Sequence, residues 1–379
     1  MKLSARVDQV PPSGIRRFFE LAEEMDDIIS LGVGEPDFSA PWSARDAAIA
    51  SLERGETSYT ANRGKRELRE AIAADQASRY GLEYDPDEEI IVTAGASEAL
   101  DLAFRALVDP GDTVAVAQPS YVSYVPGVIF AGGEPLPVPT RAEDEFTLTR
   151  AVLEDAGAAD ADALVYCYPN NPTGATMTGD ELAAVADFCR EHDLAVLADE
   201  IYSELSYEHE HTSIATLPGM RERTIVFNGF SKAYAMTGLR LGYAMGPAEA
   251  IAGMNRVHQY TMLSAPTTAQ YAALDALENC DDDVDEMIAQ YDRRRNFVLS
   301  RFAEMGIECF PAAGAFYAFP ECPTDDAEAF AEDLLHEERV AVVPGDVFGA
   351  GGEGHLRVSY ATGLEELKTA MDRIESFVA

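Results

Sequence analysis

Lys232 is the residue whose setting most suggests chemistry. It follows the apolar run ThrIleValPheAsn and lies between PheAsnGlyPhe and AlaTyrAlaMet, in a chain with only four lysines. An ammonium buried without a partner costs several kcal/mol. The ordinary outcome is a buried stem with a solvated head, but an apolar site also lowers the amine pKa, the condition for a Schiff-base nucleophile. Asp199 closes the run LeuAlaValLeuAla, with Glu200 and Tyr202 close behind. Taken alone it reads as a strand-end cap. Asn171-Pro172-Thr173-Gly174 makes a turn after AlaLeuValTyrCys, which alone is ordinary turn chemistry. Gly95-Ala96-Ser97 sits between a strand and a helix, where free N–H groups and the helix dipole favour a phosphate. The plain alternative there is a helix cap by Ser97.

The elements around these residues make their placement non-random. Short Val/Ile/Ala-rich runs begin at Glu89, Thr113, Asp162, Leu194 and Arg223, and amphipathic helices are expected over 97–108 and 179–192. Such βαβ alternation predicts an α/β fold with a buried, mostly parallel sheet flanked by helices. All four segments fall at the carboxyl ends of its strands, where open α/β sheets bind ligands. A lysine, a carboxylate, a tyrosine and a phosphate cradle together meet the needs of pyridoxal phosphate. After Met254 the texture changes. A long charged helix is expected over 270–302, then short strands from Gly314, Arg339 and His355, and a closing helix with the stripe Leu364, Leu367, Met371, Ile374. The expected organisation is an arm of residues 1–40 joining a small α+β domain of 266–379, and a large domain of 41–265.

Composition removes other classes of function. The 379 residues carry 67 Asp plus Glu against 28 Lys plus Arg, a net charge of −39. Binding to nucleic acid or an acidic membrane by bulk electrostatics is therefore not expected. Only Lys2, Lys65, Lys232 and Lys368 are lysines, and this arginine-biased acidity predicts adaptation to molar salt. Five cysteines without a CxxC spacing suggest neither a disulfide framework nor a zinc site. No metal is expected. Residues 1–20 contain no apolar core of a signal peptide, and prolines interrupt the uncharged stretch 113–133. A soluble cytoplasmic protein is expected.

At the level of motifs the chain resembles the fold type I pyridoxal-phosphate aminotransferases of the aspartate/aromatic kind. The matching segments are LeuGlyValGlyGluProAspPhe (31–38), SerTyrThrAlaAsnArgGly (58–64), ThrAlaGlyAlaSerGluAla (93–99), TyrProAsnAsnProThrGly (168–174), AlaAspGluIleTyr (198–202), the segment 231–243 beginning SerLysAlaTyr, and LeuArgValSerTyrAla (356–361). The resemblance implies that Lys232 forms the Schiff base and shuttles the proton, and that Asp199 pairs with the pyridinium nitrogen. It implies Asn171 and Tyr202 on the phenolic oxygen and Tyr121 stacked on the ring. Ala96, Ser97 and Arg240 would hold the phosphate, with Tyr59 reaching it from the other subunit of a homodimer. Arg357 would clamp the substrate α-carboxylate as a bidentate guanidinium, with Gly34 adding a backbone N–H. Gly229 stands where many relatives have a phosphate-binding serine, and Ser231 is the candidate replacement.

The implied activity is transfer of an amino group from an L-amino acid, aspartate or aromatic, to a 2-oxo acid such as 2-oxoglutarate. The nearest competitor is another reaction of the same cofactor, a C–S lyase or decarboxylase. A dinucleotide-dependent dehydrogenase would have to use the glycine-rich stretch 349–354, which precedes a strand instead of a helix. An amino-acid-sensing regulator would need a basic DNA-binding module, against the sign of the charge. A dicarboxylic substrate calls for a second cation, for which Arg16, Arg63 and Lys65 are candidates.

Overall fold

The apolar runs pair into one seven-stranded sheet. A computed structural model of the chain describes residues 2–15, 25 and 27–379. The strands are β1 (Ile29–Ser30), β2 (Ile90–Thr93), β3 (Thr113–Gln118), β4 (Glu134–Pro139), β5 (Ala163–Cys167), β6 (Ala195–Asp199), β7 (Thr224–Gly229), β8 (Gly242–Met245), β9 (Tyr317–Ala318), β10 (Val340–Ala341), β11 (Val343–Pro344) and β12 (Leu356–Ser359). The large sheet has the order β2-β8-β7-β6-β5-β3-β4. All its pairings are parallel except those of β8, which runs against both β2 and β7.

Both faces of this sheet are covered. Along β3, Val114 and Val116 enter one core, whereas Ala115 and Ala117 enter the other, as the two-residue repeat of a strand requires. Every residue of β2, β5, β7 and β8 is buried. Helix Ala96–Leu107 packs against helix Ala248–Thr261 on one side. Helix Gly179–Glu191 belongs to the other core, and its start is fixed by Thr178 and Glu181 in reciprocal side-chain-to-backbone bonds.

Three features depart from the sequence reading. Strand β4 was not foreseen, because its sequence GluProLeuProValPro holds three prolines. It lies at the sheet edge, and prolines at alternate positions place every missing N–H on the side away from β3. The single helix expected over 270–302 is two, Thr267–Asn279 and Asp281–Met305. Asp281, Asp282 and Asp283 fill the first turn of the second, where carboxylates complement free N–H groups. In the closing helix Leu364 is 41 % exposed, so its apolar face consists of Leu367, Ala370, Met371 and Ile374.

The C-terminal part carries a small sheet of order β11-β12-β9, and β1 pairs parallel with β10, which fastens residues 29–30 to this part of the chain. Helix Thr267–Asn279 lies against helices Trp42–Glu53 and Arg66–Tyr80, so packing runs continuously across position 266. Among the described residues no helix is long and apolar enough to cross a membrane, and the stretch 113–133 is divided between β3 and helix Tyr124–Ala131.

Candidate active site

At the carboxyl edge of the large sheet a cavity of about 290 Å³ is lined by Gly34, Ala96, Ser97, Tyr121, Asn171, Asp199, Tyr202, Ser231, Lys232, Arg240 and Arg357, among others. The topology explains the convergence. β2, β5, β6 and β7 end there and deliver Ala96, Asn171, Asp199 and Lys232. β8 runs the opposite way, so its start lies at the same edge and Arg240 arrives just before it. Arg357 comes from β12 of the small sheet.

Lys232 and Asp199 are both removed from water. The Lys232 ammonium donates to the Gly34 carbonyl at 2.6 Å and lies 5.5 Å from the ring centres of Tyr202 and Phe316. Burial, with repulsion from Arg357, lowers its pKa to about 8. Asp199 accepts from the Tyr124 hydroxyl at 2.6 Å and from the Ile201 N–H at 3.2 Å. Burial raises its pKa to about 6, against the downward pull of those two bonds and of Lys232.

A second group of polar residues holds the opposite wall. Arg357, 3 % exposed, donates to Asn171 Oδ1 at 2.9 Å and to the Gly32 carbonyl at 2.5 Å. Its Nε is buried without a partner. The guanidinium lies 4.7 Å from the rings of both Tyr317 and Phe348, and burial lowers its pKa from the usual range. The Tyr202 and Tyr317 hydroxyls are 2.9 Å apart. Burial carries the Tyr202 pKa well above its ordinary value and pushes that of Tyr317 up to about 12.

The turn expected to hold a phosphate has its own geometry. Gly95, with φ of 88° and ψ of 161°, starts helix Ala96–Leu107, and a Cβ on it would stand 2.7 Å from Arg240 Nη2. Gly242 lets β8 pass against the Ala96 N–H, a position that any Cβ would occupy. Gly229 pairs with Gly242, and a Cβ there would come within 2.8 Å of the Gly242 Cα. No side chain fits at 229, so a serine is excluded by the close approach of two strands; Ser231, by contrast, lines the cavity.

Two functional neighbours were not singled out from sequence. Tyr124 is fully buried and bonded to Asp199, a contact between distant segments that left no local signal in the sequence. Tyr317 lay in a segment read only as a strand. Of the other candidates, Tyr59 is 79 % exposed and lies away from this cavity. Arg63 donates to the Asp87 carbonyl at 2.6 Å and Lys65 sits 4.5 Å from the Tyr271 ring, so neither enters the cavity. Arg16 lies outside the described residues.

Known proteins match this chain along almost its whole length. The family described as aminotransferase class I and II matches residues 26–374. The chain belongs to the class I and II aminotransferases. It is 51 % identical over 378 residues to the putative aminotransferase YugH of Bacillus subtilis, covering 99 % of this chain and 98 % of that one. It is 43 % identical to aromatic-amino-acid aminotransferase 2 of Thermococcus litoralis over 99 % of this chain and 98 % of that protein. Among solved structures, aspartate aminotransferase from Thermus thermophilus with maleate superposes with a TM-score of 0.95 at 39 % identity, each chain covered completely. This protein is therefore a pyridoxal-phosphate-dependent aminotransferase of the fold type I architecture, acting on an amino acid and a 2-oxo acid.

The residues present fit the cofactor. An amine of lowered pKa shares one cavity with a buried carboxylate, Gly95 lets the Arg240 guanidinium come up against the start of helix Ala96–Leu107, and the orphaned Arg357 Nε offers an unused donor. One consequence concerns the cofactor-free protein. An unfolded Asp titrates near ~3.9, whereas folded Asp199 holds its proton up to about 6. The folded form thus binds more protons between these values, and stability falls as pH rises through about 6. Asp199→Asn is expected to raise the thermal midpoint of the cofactor-free protein more at pH ~8 than at pH ~5, where only part of the loss has occurred. Equal shifts at the two pH values overturn this account.

Proposed function

We propose that this aminotransferase uses an aromatic L-amino acid or aspartate as donor and a 2-oxo acid such as 2-oxoglutarate as acceptor, in a ping-pong cycle. The observation that carries this reading is the facing pair of Lys232 and Arg357 in one cavity, an amine of lowered pKa opposite a buried guanidinium. Bound pyridoxal phosphate supplies the electron sink that makes the donor Cα–H acidic. Lys232 then takes and returns that proton, which suits an amine whose pKa is about 8. Asp199 holds a proton on the ring nitrogen, and Tyr124 fixes its carboxylate. Asn171 and Tyr202 orient the phenolic oxygen, Tyr121 stacks on the ring, and Ala96, Ser97 and Arg240 bind the phosphate. Arg357 and the Gly34 N–H orient the substrate carboxylate. Among the described residues the cations of the cavity are Lys232, Arg240 and Arg357, and Ile15 and Tyr121 add apolar wall. A half-reaction panel with tyrosine, phenylalanine, aspartate, glutamate and alanine tests the donor, and faster conversion by alanine than by aspartate and both aromatics overturns the reading.

Lys232→Ala is expected to abolish turnover while retaining cofactor. Borohydride reduction of the loaded enzyme, followed by peptide mapping, is expected to label Lys232; a label on another lysine defeats the assignment, and product release without an acceptor defeats amino-group transfer.

The unit of function in this reading is a homodimer. Support comes from Tyr59, 79 % exposed, and from Trp42, Tyr260 and Met262, which are 65 %, 88 % and 45 % exposed. Asn62 bonds the Leu263 carbonyl at 2.7 Å, so the Tyr59 loop and the 260–263 segment lie side by side. Mixing Lys232→Ala with Tyr59→Ala subunits is expected to yield hybrids with one complete site. Hybrids as inactive as the Lys232→Ala parent rule out sharing.

The division into residues 1–40, 41–265 and 266–379 stays part of this proposal, as does a cytoplasmic setting, which suits five unpaired cysteines. The charge of −39 supports adaptation to salt. Self-repulsion acts over ~10 Å at 0.1 M and over ~3 Å at 1 M. The thermal midpoint of the holoenzyme is expected to rise between ~0.1 and ~3 M KCl; a flat or falling midpoint removes the halophilic reading.

A further inference from the structure

The turn that presents Ala96 and Ser97 is held by residues no catalytic role accounts for. Glu98 Oε2 accepts the Ala94 N–H at 2.5 Å, from one turn back along the chain, and Thr93 Oγ1 donates to the Gly95 carbonyl at 2.9 Å. The other oxygen of Glu98 lies 2.8 Å from Nδ1 of His258, on the neighbouring helix Ala248–Thr261. A carboxylate only accepts, so Nδ1 carries the proton in this bond. His258 is completely buried, and its Nε2 has no partner. A polar ring is thus sunk into the interface of two helices with a single bond to justify it, and that bond ends on the phosphate turn. A leucine of similar size would fill the space without leaving an orphaned nitrogen.

The chain of bonds continues outward from His258. Its carbonyl accepts the Leu263 N–H at 2.9 Å, and the Leu263 carbonyl accepts from Asn62 at 2.7 Å. Asn62 stands three residues after Tyr59, in the loop whose first residue, Ser58, accepts from Thr267 at 2.8 Å. One continuous set of hydrogen bonds therefore connects the cradle of this chain with the loop that would serve the cradle of its partner.

We infer that Glu98 and His258 are positioning residues for the cofactor phosphate: they clasp the turn 93–95 so that the Ala96 and Ser97 N–H groups point at the phosphate, and they anchor the Tyr59 loop to the same clasp. This rests on the assignment of Ala96, Ser97 and Arg240 as the phosphate site. Bonds of this kind orient groups that touch the ligand without touching it themselves, and their loss is felt as weaker binding of that ligand. The clasp gains nothing from the ring chemistry of the cofactor, so its effect belongs to retention of the phosphate.

The test is the cofactor dissociation constant of Glu98→Ala and Glu98→Gln, together with the ³¹P resonance of the bound phosphate in each holoenzyme. Glu98→Ala is expected to weaken retention by about tenfold or more and to move or broaden the ³¹P signal. Glu98→Gln keeps an oxygen for the Ala94 N–H and is expected to stay within about threefold of the unsubstituted protein. Retention unchanged in Glu98→Ala, or lost equally in both variants, overturns the clasp. If Glu98→Ala does not fold, His258→Asn and His258→Leu give the same contrast, because the asparagine amide can donate from the Nδ1 position and leucine cannot. A separate control distinguishes the underlying site: Arg240→Ala binding the cofactor normally would refute the phosphate site itself, whatever the clasp variants do.

Discussion

Two opposite charges held out of water in one cavity set the terms for everything else in this protein. The Asp199 carboxylate is raised to about 6 and the Lys232 amine lowered to about 8, each by its own burial. Their mutual attraction does not cancel that cost, as the direction of both shifts shows. Hydrogen bonds offset part of that cost: Tyr124 and the Ile201 N–H on Asp199, the Gly34 carbonyl on Lys232. A fold that places such groups at the ends of buried strands holds them in fixed positions. The parallel sheet does this because β5, β6 and β7 all end on one edge, while the reversed β8 begins there.

The cavity is completed only by the second part of the molecule. Arg357 and Tyr317 stand on β12 and β9, outside the large sheet, and Gly32 and Gly34 belong to the segment that β1 ties to β10. The guanidinium is held by Asn171 from one side and the Gly32 carbonyl from the other. Docking of the small sheet on the large one thus brings a buried guanidinium into the cavity that holds the amine. A substrate bridging Arg357 and Lys232 would touch both parts at once, which gives the enzyme an energetic reason to keep them together.

Much of this was legible in the sequence, for physical reasons. Buried parallel strands are apolar throughout, so β2, β3, β5, β6 and β7 announce themselves. The residues that follow them fall at one edge by topology alone. β4 was hidden because three prolines deny strand character, and only its position at the edge, with the blank N–H side outward, makes it possible. The break at Cys280 was hidden because the acidic run reads as a solvated helix face. In the structure those aspartates start a new helix. Tyr124, Tyr317 and the Glu98–His258 bond were hidden because each depends on contacts between segments far apart in the chain.

The sequence by itself determined which groups are available: a rare lysine in apolar surroundings, a carboxylate at a strand end, a guanidinium fit for a carboxylate, and an acidic surface. Composition and local periodicity suffice for these, since they depend on residue type and on neighbours within a few positions. Only the tertiary structure decided their working state. How far the Lys232 pKa moves depends on burial beside Tyr202 and Phe316 and on repulsion from Arg357, residues of three different segments. Whether a position accepts a side chain at all, as at Gly229, depends on how closely an antiparallel neighbour approaches. Burial and proximity across the chain are properties of the packed molecule, and no single stretch of sequence contains them.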